Sequence, residues 1–349
     1  MNEIVETDNG QMTLFLDGEF SPPLKDNIYT MEHPFFSLSK RKDTKIREYD
    51  HNGVYINITP SVLGMPTMFD KDVLVYCISH VKEKINQYEK GVITKKPSRV
   101  IRFIVRQFLS STGRGNGGHA YELLNKGLDR LSGVRVKTSI TTNNTRIAEG
   151  FGLIDGYKIV EKSEIDAKMI ALEIPLSKWV FNAIEANEIL TLSPDYFSIS
   201  QPLKKRVYEL ARKHCGDKSK FQILLSTLHK KSGSTSSLKE FRRKIKKIEE
   251  VNDLPDYHLM YIEEKDKVIF GTRQESIKKL TKTYHNGTKP TLKPQTYENV
   301  RKMFIKRDQR CNFDVYTLEK EWLHYWETNE CEPVKNADGA FYKFCQQKK

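Results

Sequence analysis

Ser237-Leu238-Lys239-Glu240-Phe241-Arg242-Arg243-Lys244-Ile245-Lys246-Lys247-Ile248 reads as a capped amphipathic helix, and the fold is read outward from it. Ser237 and Glu240 stand three apart, as in a capping box. The hydroxyl accepts an early backbone N–H, and the carboxylate is expected to reach back to the cap. Leu238, Phe241, Ile245 and Ile248 recur at helical spacing and make one apolar stripe. Lys239, Arg242, Arg243, Lys246 and Lys247 fill the other arc. Such a helix is anchored by one face and offers a cationic face to a polyanion.

Two helices are expected before it. Pro202 suits a first helical turn, where its missing N–H costs nothing. Leu203, Val207, Leu210 and Ala211 give that helix a buried side. Phe221, Leu224, Leu225 and Leu228 do the same for the next, which Lys230, Lys231 and Gly233 close with C-terminal charge and a glycine stop. After the basic helix, Tyr257–Ile262 and Val268–Phe270 flank Glu263–Lys267, a hairpin signal. Three helices and a hairpin make a winged helix. From Pro202 to Lys247 there are 15 Lys and Arg against three acids, a net +12 where the whole chain carries +13. Charge so concentrated suggests a nucleic-acid partner. In a major groove Arg242 and Arg243 would reach guanine edges, and Lys239, Lys246 and Lys247 would more often pair with phosphates. Lys213, Lys230 and Lys231 are expected to add phosphate contacts. The competing reading is a solvated basic face.

With 349 residues, 30% of them charged and 38% hydrophobic, the chain has room for two domains and tails, and its composition is that of a soluble globular protein. No apolar run is long enough to span a bilayer, and no signal peptide precedes Met12–Leu16, so no membrane partner is expected. The five cysteines (77, 215, 311, 331 and 345) include no Cys-x-x-Cys pair. They read as reduced thiols of a cytosolic protein, with neither zinc nor a disulfide framework.

Residues 1–30 are expected to be a flexible tail. Residues 31–190 read as a second, less basic winged-helix unit. It has a long helix over Phe69–Tyr88, a strand at Arg99–Val105, a short helix at Gln107–Thr112 and a helix at His119–Leu131. A hairpin turns at Asn143-Asn144, strands follow at Tyr157–Glu161 and Met169–Ile174, and a helix runs over Ser177–Glu188. Arg114 and Arg130 are candidate contacts to a second DNA segment, although protein–protein contact is favoured as the main role of this unit. Residues 191–275 hold the main reader, 276–296 a polar linker, and 297–349 a helical module in which Trp322 and Trp326 read as core. The expected class is therefore α+β: tandem winged helices with a helical C-terminal extension.

An enzyme reading finds no site. Gly113–Gly118 lacks a following Gly-Lys-Ser/Thr, so it reads as a relaxed turn rather than a phosphate loop. There is no His-x-His, no His-Glu-x-x-His and no Gly-x-Ser-x-Gly. His214-Cys215 lie at the end of an ordinary helix. No catalytic residue, cofactor or metal is expected. A winged-helix transcriptional regulator and a tyrosine-dependent nickase are the competing functions.

Several separate blocks resemble one family in order. They are Lys25-Asp26, Met31-Glu32-His33-Pro34-Phe35-Phe36-Ser37-Leu38, Ile58-Thr59-Pro60-Ser61-Val62-Leu63-Gly64, Phe69-Asp70-Lys71-Asp72, Thr112-Gly113-Arg114-Gly115, Leu128-Asp129-Arg130-Leu131, Tyr208-Glu209-Leu210-Ala211-Arg212-Lys213-His214-Cys215 and Lys231-Ser232-Gly233-Ser234. They resemble the plasmid replication initiators of the RepA, or replication initiator protein A, type. The resemblance implies a bacterial cytoplasmic protein that binds origin repeats (iterons) in double-stranded DNA. It also implies recruitment of the host initiator, helicase and sliding clamp, and, in many relatives, repression of the initiator's own promoter as a homodimer. Gln11-Met12-Thr13-Leu14-Phe15 is similar to the short peptide by which bacterial proteins bind the sliding clamp, with Gln11, Leu14 and Phe15 as its contact residues.

Overall fold

The computed structural model describes residues 22–51, 53–145, 150–161, 169–216, 218–273, 290, 292–306, 314–328 and 336–347. Gln11, Leu14 and Phe15 lie outside them. The chain divides into two compact units, Met1–Arg273 and Gln274–Lys349.

The first unit holds two hydrophobic cores. Around the first, β2 (Arg47–His51) and β3 (Val54–Thr59) form a hairpin, and β3 also pairs antiparallel with β5 (Arg135–Thr138). Ile56 and Ile58 are buried while Tyr55 and Thr59 on either side of them are exposed, the period-two pattern of a half-covered strand. A second antiparallel sheet places β7 (Met169–Pro175) between β4 (Val100–Ile104) and β6 (Lys158–Glu161). Three helices, α3 (Val105–Ser111), α4 (Gly118–Gly133) and α5 (Lys178–Glu185), complete this half. Trp179 of α5 is fully buried, with Phe151 and Phe35 stacked on it at 5.4 and 5.7 Å. The expected turn at Asn143-Asn144 is present: both residues are left-handed (φ 48° and 54°), and Thr142 bridges Thr145. The β2–β3 hairpin has no counterpart among the elements expected from the sequence.

The second core is built by α6 (Pro202–His214), α7 (Leu225–Ser232) and α8 (Leu238–Val251), packed on an antiparallel sheet. In that sheet β11 (Lys267–Thr272) lies between β10 (Tyr257–Ile262) and β9 (Lys220–Leu224). Strand β9 corrects the reading of Phe221–Leu228 as one helix. Lys220-Phe221-Gln222-Ile223-Leu224 alternates, with Ile223 buried and Gln222 and Leu224 exposed. Pairing with β11, which sets Phe221 opposite Phe270, outweighs the helical spacing of the leucines.

The last part of the expected tail of residues 1–30 is also corrected, residues 1–21 lying outside the described residues. Lys25–Asn27 is strand β1, and it pairs antiparallel with β8 (Ile189–Thr191). Asn27 then caps α1 (Ile28–Glu32), its side-chain oxygen accepting from the Tyr29 and Thr30 N–H groups at 2.8 and 3.2 Å. Asp26 is fully buried.

Helix α2 (Lys71–Glu89) serves both cores. Val73, Leu74 and Cys77 belong to the first, and Val75 to the second, so the helix is buried on every side through Lys82. Its start carries the polar joint between the halves. Lys71 Nζ sits 2.7 Å from Asp26 Oδ2 and 2.9 Å from Glu209 Oε2. Lys205 meets Asp72 at 2.6 Å. Arg206 binds Glu209 at 3.0 Å and donates to the carbonyls of Thr30, Met31 and Lys231. Tyr196 donates to Glu209 at 2.6 Å. Burial pushes the Asp26 carboxyl up, whereas at Glu209 the pull of Lys71 and Arg206 overcomes burial and holds the carboxyl down.

Among the described residues the second unit holds three helices, α9 (Pro294–Lys306), α10 (Val315–Thr328) and α11 (Ala337–Gln347), around Val300, Leu318, Trp322, Phe341 and Cys345. Trp322 is core, 5.4 Å from Phe341. The Trp326 side chain lies outside the described residues. No described helix is long and apolar enough to cross a membrane.

Candidate nucleic-acid interface

Helix α8 is set on its sheet by three kinds of contact. Phe241, Ile245 and Ile248 are buried, each worth about 1.5–3 kcal/mol of apolar burial. Ser237 caps the N-terminus, its hydroxyl accepting from Glu240 N–H at 3.3 Å. At the other end Asn252 is left-handed (φ 46°), and its side chain accepts from Leu259 N–H at 3.0 Å. Glu249 accepts from Tyr261 N–H at 2.8 Å and ties the helix to β10. The capping box is only half made: the Glu240 carboxylate accepts from Arg243 at 2.7 and 3.0 Å.

The cationic arc of α8 is two strips. Lys239, Arg243 and Lys247 recur every fourth residue and are exposed. Arg242 and Lys246 face the hairpin between β10 and β11. Arg242 donates from Nε to the Tyr261 hydroxyl at 2.9 Å and from Nη2 to Asp266 at 3.1 Å. Lys246 pairs with Glu263 at 2.9 Å and lies 5.5 Å from the Tyr261 ring centroid. Hydrogen bonds from Arg242 and Tyr261 hold the Asp266 carboxyl below the usual carboxylate range. Sequence reasoning missed Tyr261, Glu263 and Asp266. Their signal was carboxylates in a turn beside a basic helix.

The other expected contacts divide in the same way. Lys230 is exposed and Lys213 half-buried, and neither has an ion pair among the described residues. Lys231 is bound to Glu32, which also lies 2.9 Å from His214 Nε2. Burial would raise that carboxyl, but His214 and Lys231 hold it far below its ordinary range. His214 stacks on Phe221 at 5.0 Å, and Cys215 is buried. Arg114 binds Asp72 and the Phe69 carbonyl. Arg130 grips Asp70 through Nε and Nη2, both at 2.8 Å. Gly127 makes that approach possible, since a Cβ there would lie 2.6 Å from Asp70 Oδ1. Arg114, Arg130 and Lys231 therefore spend their charge inside the fold. With Lys205 and Arg206 buried in the joint, the +12 of this stretch overstates the charge presented outward.

The sequence model of the family described as Replication initiator protein A matches residues 25–259. The chain belongs to that replication initiator family. A putative replication protein of Wigglesworthia glossinidia brevipalpis is 40% identical over 250 residues, which is 71% of this chain and 89% of that protein. The family match opens at the first residue of β1 and closes inside β10, so it takes in the joint, the first core, most of the second and all of α8. Crystal structures of domains 2 and 3 of RctB are similar at 14% identity. One has a TM-score of 0.48 and covers 68% of this chain and 94% of its own. The other has a TM-score of 0.47 and covers 71% and 98%. In this region the replication initiator presents a helix with three outward cations, bordered by a hairpin that it holds with two more.

Proposed function

We propose that this replication initiator binds repeated sequences in the double-stranded DNA of a plasmid origin. In this reading α6, α7, α8 and the β10–β11 hairpin act as a winged helix, paired with a second winged-helix unit in the first half. The carrying observation is the strip of Lys239, Arg243 and Lys247 on α8, exposed and directly opposite the buried Phe241, Ile245 and Ile248. Laid in a major groove, Arg243 is the side chain suited to guanine O6 and N7, and the two lysines suit phosphates. Lys213 and Lys230 supply flanking phosphate contacts. Arg242 and Lys246 orient the hairpin.

The activity proposed is binding and assembly, without catalysis. Gln11, Leu14 and Phe15 would engage the sliding clamp. The host initiator and helicase would gather on the bound protein, and a homodimer would repress its own promoter. Footprinting the full chain on DNA flanking its gene tests the core of the reading. Protection of regularly spaced repeats that survives scrambled competitor is the expected result. Uniform protection, or none, overturns it.

A further inference from the structure

The segment Ser39–Arg47 carries Lys40, Arg41, Lys42, Lys45 and Arg47 against a single carboxylate, Asp43. It is a built loop. Ser37 and Ser39 hydroxyls accept from the N–H groups of Ser39 and Arg41 at 3.2 and 3.0 Å. The Asp43 carboxylate takes Arg47 at 2.5 Å and the Lys45 N–H at 3.1 Å. The Asp43 carbonyl accepts from Met65 N–H at 2.7 Å. Gly64, left-handed at φ +97°, lies so close that a Cβ on it would be 3.0 Å from Asp43 N. Only Arg47 is neutralised by this scaffold. Lys40, Arg41, Lys42 and Lys45 are exposed and have no ion pair among the described residues.

The loop belongs to the first half of the unit but sits against the second. Gly233 ends α7 in a left-handed conformation, four residues before the Ser237 cap of α8. A Cβ on Gly233 would lie 2.5 Å from Pro34 Cβ and 3.5 Å from Arg47 Nη1. That Nη1 is buried without a hydrogen-bond partner among the described residues. The loop's last residue, Arg47, thus lies against the turn that leads into the N-terminus of α8.

We propose that the Ser39–Arg47 loop is a second DNA-contacting surface, whose Lys40, Arg41, Lys42 and Lys45 hold duplex phosphates next to the segment that α8 enters. The proposal rests on DNA reading by α8. A duplex presents one negative charge per about 1.7 Å of its axis, the complement of a short loop with four unneutralised cations. Contacts of this kind set position and affinity and carry no base information.

The test compares the full native chain with Lys40→Gln/Arg41→Gln/Lys42→Gln/Lys45→Gln, by anisotropy across a salt series on repeat and scrambled duplexes. The variant should bind both duplexes more weakly by a similar factor. Its log–log salt slope should be shallower by about 2–4, at about 0.9 for each phosphate no longer neutralised, and its footprint shorter on one flank. Lys42→Gln/Lys45→Gln alone should give about half that change in slope. Equal thermal unfolding midpoints would show that the fold is retained. An unchanged slope and footprint would overturn the proposed loop surface, as would weakening confined to the repeat duplex. Failure of the native chain to bind either duplex would instead refute the α8 reading beneath it.

Discussion

Arg242 stands on the cationic arc of α8, and residue type alone makes it a base reader. In the proposed reading its surroundings give it another task. Three charge-assisted bonds to Asp266 and one to Tyr261 hold the guanidinium on the hairpin, and each must be given up before it reaches a base. Arg243, one residue on, is exposed and, among the described residues, bonded only to its helix neighbour Glu240. The pair therefore separates by measurement. Arg242→Ala should weaken repeat and scrambled DNA to similar small extents and speed amide exchange in β10 and β11. Arg243→Ala should lose on the order of ten- to a hundred-fold on the repeat alone. The reverse pattern, obtained by titration on both duplexes, would exchange the two roles.

At the scale of elements, α8 was legible because its period, cap and charge agree, and its limits in the structure follow. Helix α2 was legible for the same reason in its apolar positions, although nothing in its spacing tells that both halves use it. Strand β9 was not legible: Phe221, Ile223, Leu224, Leu225 and Leu228 satisfy a helix as well as a strand, and only β11, more than forty residues later, decides. Strand β1 was hidden for the opposite reason. Lys25-Asp26-Asn27 is as polar as a tail, and its burial depends on Lys71 arriving from α2. The candidate site was half legible in the same sense. Outward cations follow from helical phase, but the carboxylates that claim Arg114, Arg130, Lys231 and Arg242 come from elements distant in sequence.

Across the first unit, one polar joint fixes two hydrophobic cores to each other. Lys71 is fully buried between Asp26 and Glu209, so its loss leaves two carboxylates without their shared cation. Lys71→Met should cost about 3–5 kcal/mol in denaturant unfolding, and adding Asp26→Asn should recover part of it. A loss below about 1 kcal/mol would show that the halves are held mainly by apolar contact. A fixed joint matters for the proposed function because it sets the Ser39–Arg47 loop and α8 in one frame, where a single duplex would meet both. On the proposed reading, all of this serves sequence-selective binding by α8. The most direct measurement is the ratio of dissociation constants for a scrambled and a tandem-repeat duplex at one moderate ionic strength, for the native chain and for Lys239→Gln/Arg243→Gln/Lys247→Gln. Reading by α8 predicts a native ratio well above one that falls at least roughly ten-fold in the variant. A native ratio of one, or a ratio that the three substitutions leave unchanged, would contradict it.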